Sequence, residues 1–150
     1  MTALGTKSRN FNPIGIFDWC TTRDQVVEYS INKAQGVFIK MGYRVLTPIN
    51  PDTGGDGDFI VEKYPEIAIV SCKSTTQMTR SENPRSELNI RTNSKAKNNH
   101  GVVCTPEKYH YLIGISHLGE YCIWKKTDLE KVKASVSFGC KNGKVGKLEV

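Results

Sequence analysis

The chain has no run of uncharged apolar residues near the roughly 20 needed to cross a bilayer, so the sequence offers no helical membrane span. Its five cysteines (Cys20, Cys72, Cys104, Cys122, Cys140) are odd in number and scattered, with no CxxC pair. That argues against a disulfide framework or a zinc knuckle and suits a reducing cytoplasm. Met1–Asn12 carries basic residues with no apolar stretch behind it, so it does not read as a secretory signal. No Walker loop, dinucleotide fingerprint or Ser-His-Asp order is visible, and there is no internal repeat or low-complexity tract. What remains is a chain of 150 residues, 38% apolar and 24% charged, which fits one soluble globular domain over residues 1–150.

The net charge of +6 is unevenly spread: residues 24–73 sum to −2, whereas residues 74–101 sum to +3. Basic flanks suit a polyanion, because neutralising phosphates releases counterions. A local carboxylate cluster would repel that polyanion unless a divalent cation sat between them.

Several elements can be read from the pattern. Residues 1–22, with Ile14, Ile16, Phe17 and Trp19, read as an irregular arm that docks at its end. Thr22 or Asp24 can cap a helix running to about Met41. Val27, Ile31, Ala34, Phe38 and Met41 fall on one face of it, and Gly42 stops it. Tyr43–Thr47 reads as a strand, Asn50–Gly57 as turn material, Phe59–Val61 as a short strand, and Ile67–Cys72 as a continuous apolar strand of a sheet centre. Residues 74–101 read as a long polar, basic loop. Tyr109–Ser116 and Glu120–Lys125 alternate as strands, with His110 a packed strand residue. Thr127–Glu130 forms a capping box for a short helix to about Ala134. The tail, residues 136–150, splits about Asn142-Gly143 as a β-hairpin.

The chemical signal is Gly55-Asp56-Gly57-Asp58-Phe-Ile-Val-Glu, a turn, then Ile67-Ala-Ile-Val-Ser71-Cys-Lys73-Ser. The acid opens one strand, and fifteen positions later the lysine ends the next. In a hairpin those two positions share one sheet edge. A carboxylate there can hold a hard cation, while a lysine can orient a water or oppose charge developing on a phosphate. A surface carboxylate and a surface lysine would give the same spacing. Asp56 suits a turn cap. Asp52–Asp58 lacks the ladder of a calcium loop, and His100 with Cys104 supplies too few ligands for zinc. Trp19 and Trp124 read as core or interface aromatics.

A helix ending in Gly-Tyr, a strand with Pro, Gly-x-Asp-apolar-apolar-Val, and an apolar strand ending in x-x-Lys-Ser together resemble the core of PD-(D/E)XK nucleases. The resemblance runs from Gln25 to about Thr76, with Tyr109–Ala134 consistent with the rest of that core. It implies a restriction-endonuclease-like α/β fold: a mixed central β-sheet flanked by helices, here with the C-terminal β-hairpin. It also implies hydrolysis of DNA phosphodiesters to 5′-phosphate and 3′-hydroxyl ends with Mg²⁺, for which Mn²⁺ can substitute. Asp58 would be the metal-binding aspartate, Lys73 the catalytic lysine and Glu28 a further ligand from the helix. The backbone carbonyl of Cys72 would join the metal shell. Ser71 stands where the family usually has Glu or Asp.

Double-stranded DNA is the expected partner. The loop residues Arg80, Arg85, Arg91, Lys95 and Lys97 and the tail residues Lys141, Lys144 and Lys147 are the candidate contacts. Within the family the expected type is an intron-associated homing endonuclease acting as a homodimer or homotetramer. A Holliday-junction resolvase and a non-catalytic DNA-binding relative are the alternatives.

Overall fold

A computed structural model describes residues 13–46, 58–90 and 109–149. The expected Asn50–Gly57 turn, with Asp52 and Asp56, lies outside the described residues. So do Arg91, Lys95, Lys97, His100 and Cys104.

One long helix, α1 (Arg23–Lys40), is fixed at its start by sequence-local chemistry. Thr22 is the cap: its hydroxyl accepts from the Gln25 amide at 3.1 Å, and the Gln25 side chain accepts from the Thr22 amide at 3.3 Å. Met41 closes the helix, Gly42 follows at φ +97°, and the Lys63 ammonium donates to the Met41 carbonyl at 2.9 Å. The buried face is Ser30, Ala34, Val37 and Phe38. It is rotated from the stripe read in the sequence, since Val27 and Met41 are exposed. Val27 borders a cleft rather than the sheet.

The strands are β1 (Arg44–Leu46), β2 (Phe59–Lys63), β3 (Glu66–Thr75), β4 (Glu87–Asn89), β5 (Tyr111–Ser116), β6 (Glu120–Lys125), β7 (Ser135–Ser137) and β8 (Lys144–Lys147). Six of them form one sheet in the order β1-β2-β3-β5-β6-β8, and β4 pairs with β7 in a second. Only the β3–β5 pair is parallel, so the main sheet is mixed. α1 and the end of the arm cover one face. Phe17, Cys20, Ala34 and Phe38 there pack on Phe59, Val61, Val70, Ile113 and Ile115. The β4–β7 pair covers the other, where Leu88, Val136 and Phe138 meet Leu112, Cys122 and Trp124. With both faces covered, β5 is buried at five of its six positions, in place of the alternation expected from its sequence.

Five further expectations are corrected. The sheet is flanked by one helix and a small second sheet, and among the described residues no second α-helix occurs. The capping box expected at Thr127–Glu130 does not form: the segment is only a 3₁₀ turn, Lys126–Leu129, that starts at Lys125 with no side-chain cap hydrogen bond and buries Leu129. The polar stretch 74–101 is not simply a loop. β3 extends to Thr75, a bridge joins Met78 to Ser86, and β4 follows because Leu88 and Ile90 are buried on either side of exposed Asn89. The tail is not a hairpin either: β7 pairs with β4, whereas β8 pairs with β6. A tight turn does join them, with Lys141 and Asn142 at φ +53° and +63° and the Gly143 amide donating to Cys140. Its flanks part because Val136 and Phe138 are drawn into the second layer. His110 is exposed at the head of β5 rather than packed, its Nδ1 accepting from the Ile69 amide. Trp124 is fully buried, as expected of a core aromatic, while Trp19 is exposed and edge-on to Tyr29.

The tail can return along β6 only because position 143 carries no side chain. A Cβ there would stand 2.4 Å from Trp124 Nε1 and 2.5 Å from Cys122 Sγ. The Trp124 indole is itself tied to the Cys140 carbonyl at 2.8 Å, so it cannot give way freely. Gly143→Ala is therefore expected to cost about 1–3 kcal/mol of stability by overpacking. Chemical denaturation measures this, and an unchanged midpoint would contradict the packing described.

Candidate functional site

The β2 and β3 strands pair from Lys63↔Glu66 to Phe59↔Val70, and β3 then continues for the five residues Ser71–Thr75 without β2. Its other edge stays paired with β5 as far as Ser116. The Ile69 and Thr75 carbonyls accept from the His110 and His117 amides on the β5 side, so the polar groups of Val70, Cys72 and Ser74 face the edge that β2 leaves. Asp58 stands at that point. Its amide donates to the Val70 carbonyl at 2.7 Å, and its Oδ2 accepts from the Cys72 amide at 2.6 Å. A side-chain carboxylate thus takes the place of the next strand residue.

Lys73 follows on β3, close enough that its charge acts on the Asp58 carboxylate. The sequence-derived pairing of these two residues at one sheet edge is what the strand register produces. Asp58 is open to solvent on one side, yet loss of hydration is the largest influence on it and pushes its pKa up. The Cys72 amide and the Lys73 ammonium pull in the opposite direction without cancelling the rise. The Cys72 thiol is pushed well up by burial and then by Asp58, so it stays protonated. What Cys72 offers the edge is its backbone.

Beyond Asp58 the edge opens into a cleft of about 400 Å³ between α1, the end of β3 and β4. Val27 and Ser30 line it from the helix, residues Cys72–Gln77 from the strand side, and Leu88 and Asn89 from β4. Ser71 is buried within the strand. Glu28 is exposed and does not line the cleft. Two positions along a helix turn the side chain by about 200°, so Glu28 points about 160° away from Ser30. The structure does not bring it to Asp58, and among the described residues no three His, Cys, Asp or Glu side chains converge.

Ser30 is the cleft residue that sequence reading missed. Its hydroxyl is buried and has no hydrogen-bond partner. The signal was present in the pattern, because Ser30 precedes Ala34 and Phe38 by one and two turns as the single polar residue of an apolar face. Among the described basic candidates, Arg80, Lys141, Lys144 and Lys147 are exposed. Arg85 is exposed too, but reaches the Phe138 carbonyl at 3.4 Å.

A second polar cluster lies at the opposite end of β3. Glu66 accepts from the Tyr111 hydroxyl at 2.6 Å and from the Tyr43 hydroxyl at 2.8 Å. These bonds, Tyr111 first, hold its pKa below the usual carboxylate range, while burial and Glu66 raise Tyr111. The adjoining cleft of about 640 Å³ carries Lys63, Lys125 and Lys144.

No protein-family model matches the chain, and no curated protein matches it in sequence. Among solved structures, the bacterial homing endonuclease I-Ssp6803I aligns with a TM-score of 0.57 over 79% of this chain and 78% of that one, at 14% identity. The likeness is one of fold: a mixed α/β architecture with a central sheet and one long helix. No helix among the described residues is long and apolar enough to cross a membrane.

The tyrosine clamp gives a testable pH effect. Folding lowers the Glu66 pKa, so its ionised form favours the fold above the unfolded-chain value. That contribution is lost as pH falls through the folded value. Tyr111→Phe removes the largest lowering influence, so Glu66 should titrate at higher pH and the acid-side loss of stability should shrink. Carboxyl NMR titration reads this directly, and a Glu66 titration unmoved in Tyr111→Phe would contradict the clamp.

Proposed function

We propose that the protein is a metal-dependent endonuclease that cuts double-stranded DNA at specific sites, of the homing type. The observation that carries this reading is the open edge of β3, where the Asp58 carboxylate sits on the Cys72 amide beside the charge of Lys73. The fold likeness to a homing endonuclease supports it, as does a net charge of +6.

The residues at this edge fit a hard dication with a lean shell. A partly desolvated carboxylate whose pKa is raised is a group that added positive charge would stabilise. Asp58 and the Cys72 carbonyl would hold Mg²⁺, or Mn²⁺ in its place, with water and phosphate oxygens completing the shell as magnesium prefers. When bound, the ion would supply Lewis acidity toward the phosphoryl oxygen and toward a bound water.

The chain's own groups do the rest. The Cys72 amide fixes the rotamer of Asp58, so the carboxylate is aimed before DNA arrives. The Lys73 ammonium opposes the negative charge that grows on the phosphate as the bond to the leaving oxygen breaks. Ser71 contributes no charge, which leaves Asp58 as the anionic residue of the edge. Exposed Arg80, Lys141, Lys144 and Lys147 supply phosphate contacts, with Arg91, Lys95 and Lys97 as further candidates. One edge with one lysine cuts one strand, so a homodimer or homotetramer is the working unit.

The test begins with selection of cleaved ends from a randomised duplex library in Mg²⁺, followed by kinetics on the recovered site. Lys73→Ala and Asp58→Asn are each expected to slow cleavage by at least about 100-fold, with DNA affinity within about threefold of wild type. Wild-type rates in either variant would remove that residue from the site. Binding without cleavage in either metal would support the non-catalytic relative, and preference for a four-way junction would support a resolvase.

A further inference from the structure

The ends of the segment that joins β3 to β4 already touch. The Thr75 hydroxyl donates to the Glu87 carbonyl at 2.7 Å, so a tight turn of about two to five residues would close the gap. Residues 76–86 instead travel outward and return, and positions 80–85 are all exposed. The core does not call for this excursion: only Ser86 within it is buried, and that residue sits at its base.

The excursion is nonetheless built. Met78 pairs with Ser86 as an antiparallel bridge, the Glu87 amide donates to the Gln77 carbonyl at 2.9 Å, and the Thr79 amide donates to the Arg85 carbonyl at 2.8 Å. The Thr79 hydroxyl accepts from the Arg85 amide at 3.0 Å, and the Ser81 hydroxyl closes the tip on the Asn83 carbonyl at 3.0 Å. Arg85 braces one side through the Phe138 carbonyl. The result is a narrow two-stranded hairpin whose tip, Arg80-Ser81-Glu82-Asn83, is polar and exposed throughout.

Its base adjoins the candidate site. Thr76 and Gln77, where the hairpin leaves β3, line the same cleft as Lys73. Two strands about 4.8 Å apart make a ribbon narrow enough for the major groove of B-DNA, which is about 12 Å wide. The side chains at the tip match what the groove offers: Asn pairs with adenine, Glu accepts from the cytosine amino group, and Arg binds guanine or a phosphate. A preformed hairpin also loses little freedom on binding.

We propose that the 76–86 hairpin is the element that reads DNA sequence: it enters the major groove beside the cut, with Glu82 and Asn83 on base edges and Arg80 on the backbone. The inference rests on the reading of the protein as a site-specific DNA endonuclease and adds where the specificity resides. Glu82 lies nine residues past Lys73, at most about 30 Å of extended chain. With side-chain reach added, the bases it reads lie within about 12 base pairs of a phosphate at Lys73.

The test is selection of bound duplexes from a randomised library in Ca²⁺, scoring binding and not cleavage, followed by affinities for the selected site and for a random duplex. Wild type, Arg80→Ala, Glu82→Ala and Asn83→Ala are compared as full-length proteins. All three side chains are exposed, so the variants should unfold at the wild-type denaturant midpoint. Glu82→Ala and Asn83→Ala should each lower affinity for the selected site about tenfold and relax preference at one or two neighbouring positions. Neither should lose affinity for the random duplex, and Glu82→Ala, which removes a charge that repels phosphates, can gain there. Arg80→Ala should weaken both duplexes alike and reduce the salt slope by about 0.9. A wild type that selects no sequence would overturn the proposal. So would Glu82→Ala and Asn83→Ala variants that keep the wild-type site at wild-type affinity, or that lose both duplexes equally. If the hairpin variants lose a site that wild type binds but cuts in neither Mg²⁺ nor Mn²⁺, the nuclease reading fails and the role of the hairpin stands. If both variants cut the wild-type site at wild-type rates, the hairpin proposal fails and the nuclease reading stands.

Discussion

A strand that outruns its neighbour must find partners for the amides and carbonyls on its abandoned edge. β3 meets that constraint through Asp58, whose carboxylate accepts from the Cys72 amide where β2 stops. The rest of the site depends on that bond. It sets the direction of the carboxylate, keeps it within the field of Lys73, and leaves the polar groups beyond Cys72 facing the cleft under α1. A longer β2 would have satisfied the edge and closed the site.

The two layers around the sheet explain why this edge stays open. α1 crosses one face and β4–β7 the other, and each is anchored by bulky apolar groups: Phe17, Phe38 and Phe59 on the helix side, Leu88, Trp124 and Phe138 opposite. Both layers converge on the end of β3, so the cleft has a helix wall and a strand wall without either covering Lys73. At the other end of the same strand, Glu66 is taken up by two tyrosine hydroxyls. β3 therefore carries an engaged carboxylate at its start and, across from its end, one whose charge is only partly offset.

Much of this was legible in the residues because it is local. Thr22 with Gln25, the apolar run of β3, the alternation of β6, and the spacing of Asp58 and Lys73 all follow from short-range rules. What escaped was set by distant contacts. β4 is three residues long in a polar stretch, and Leu88 becomes a strand residue only because the second core needs it. The Asn142-Gly143 signal marked a real turn, but turn chemistry cannot say that β7 and β8 pair with different partners. The helix face was misjudged by part of a turn. Hydrophobicity favoured Val27 over Ser30, whereas the fold puts Val27 at the cleft rim and buries the serine.

The central claim is that the Asp58–Cys72 edge is a cation site serving DNA cleavage. Anomalous scattering from crystals soaked in Mn²⁺ tests it without needing the DNA target. The account predicts one strong peak in contact with the Asp58 carboxylate and the Cys72 carbonyl, lost in Asp58→Asn. A fully occupied peak elsewhere, such as at Glu66, with none at Asp58 would contradict it.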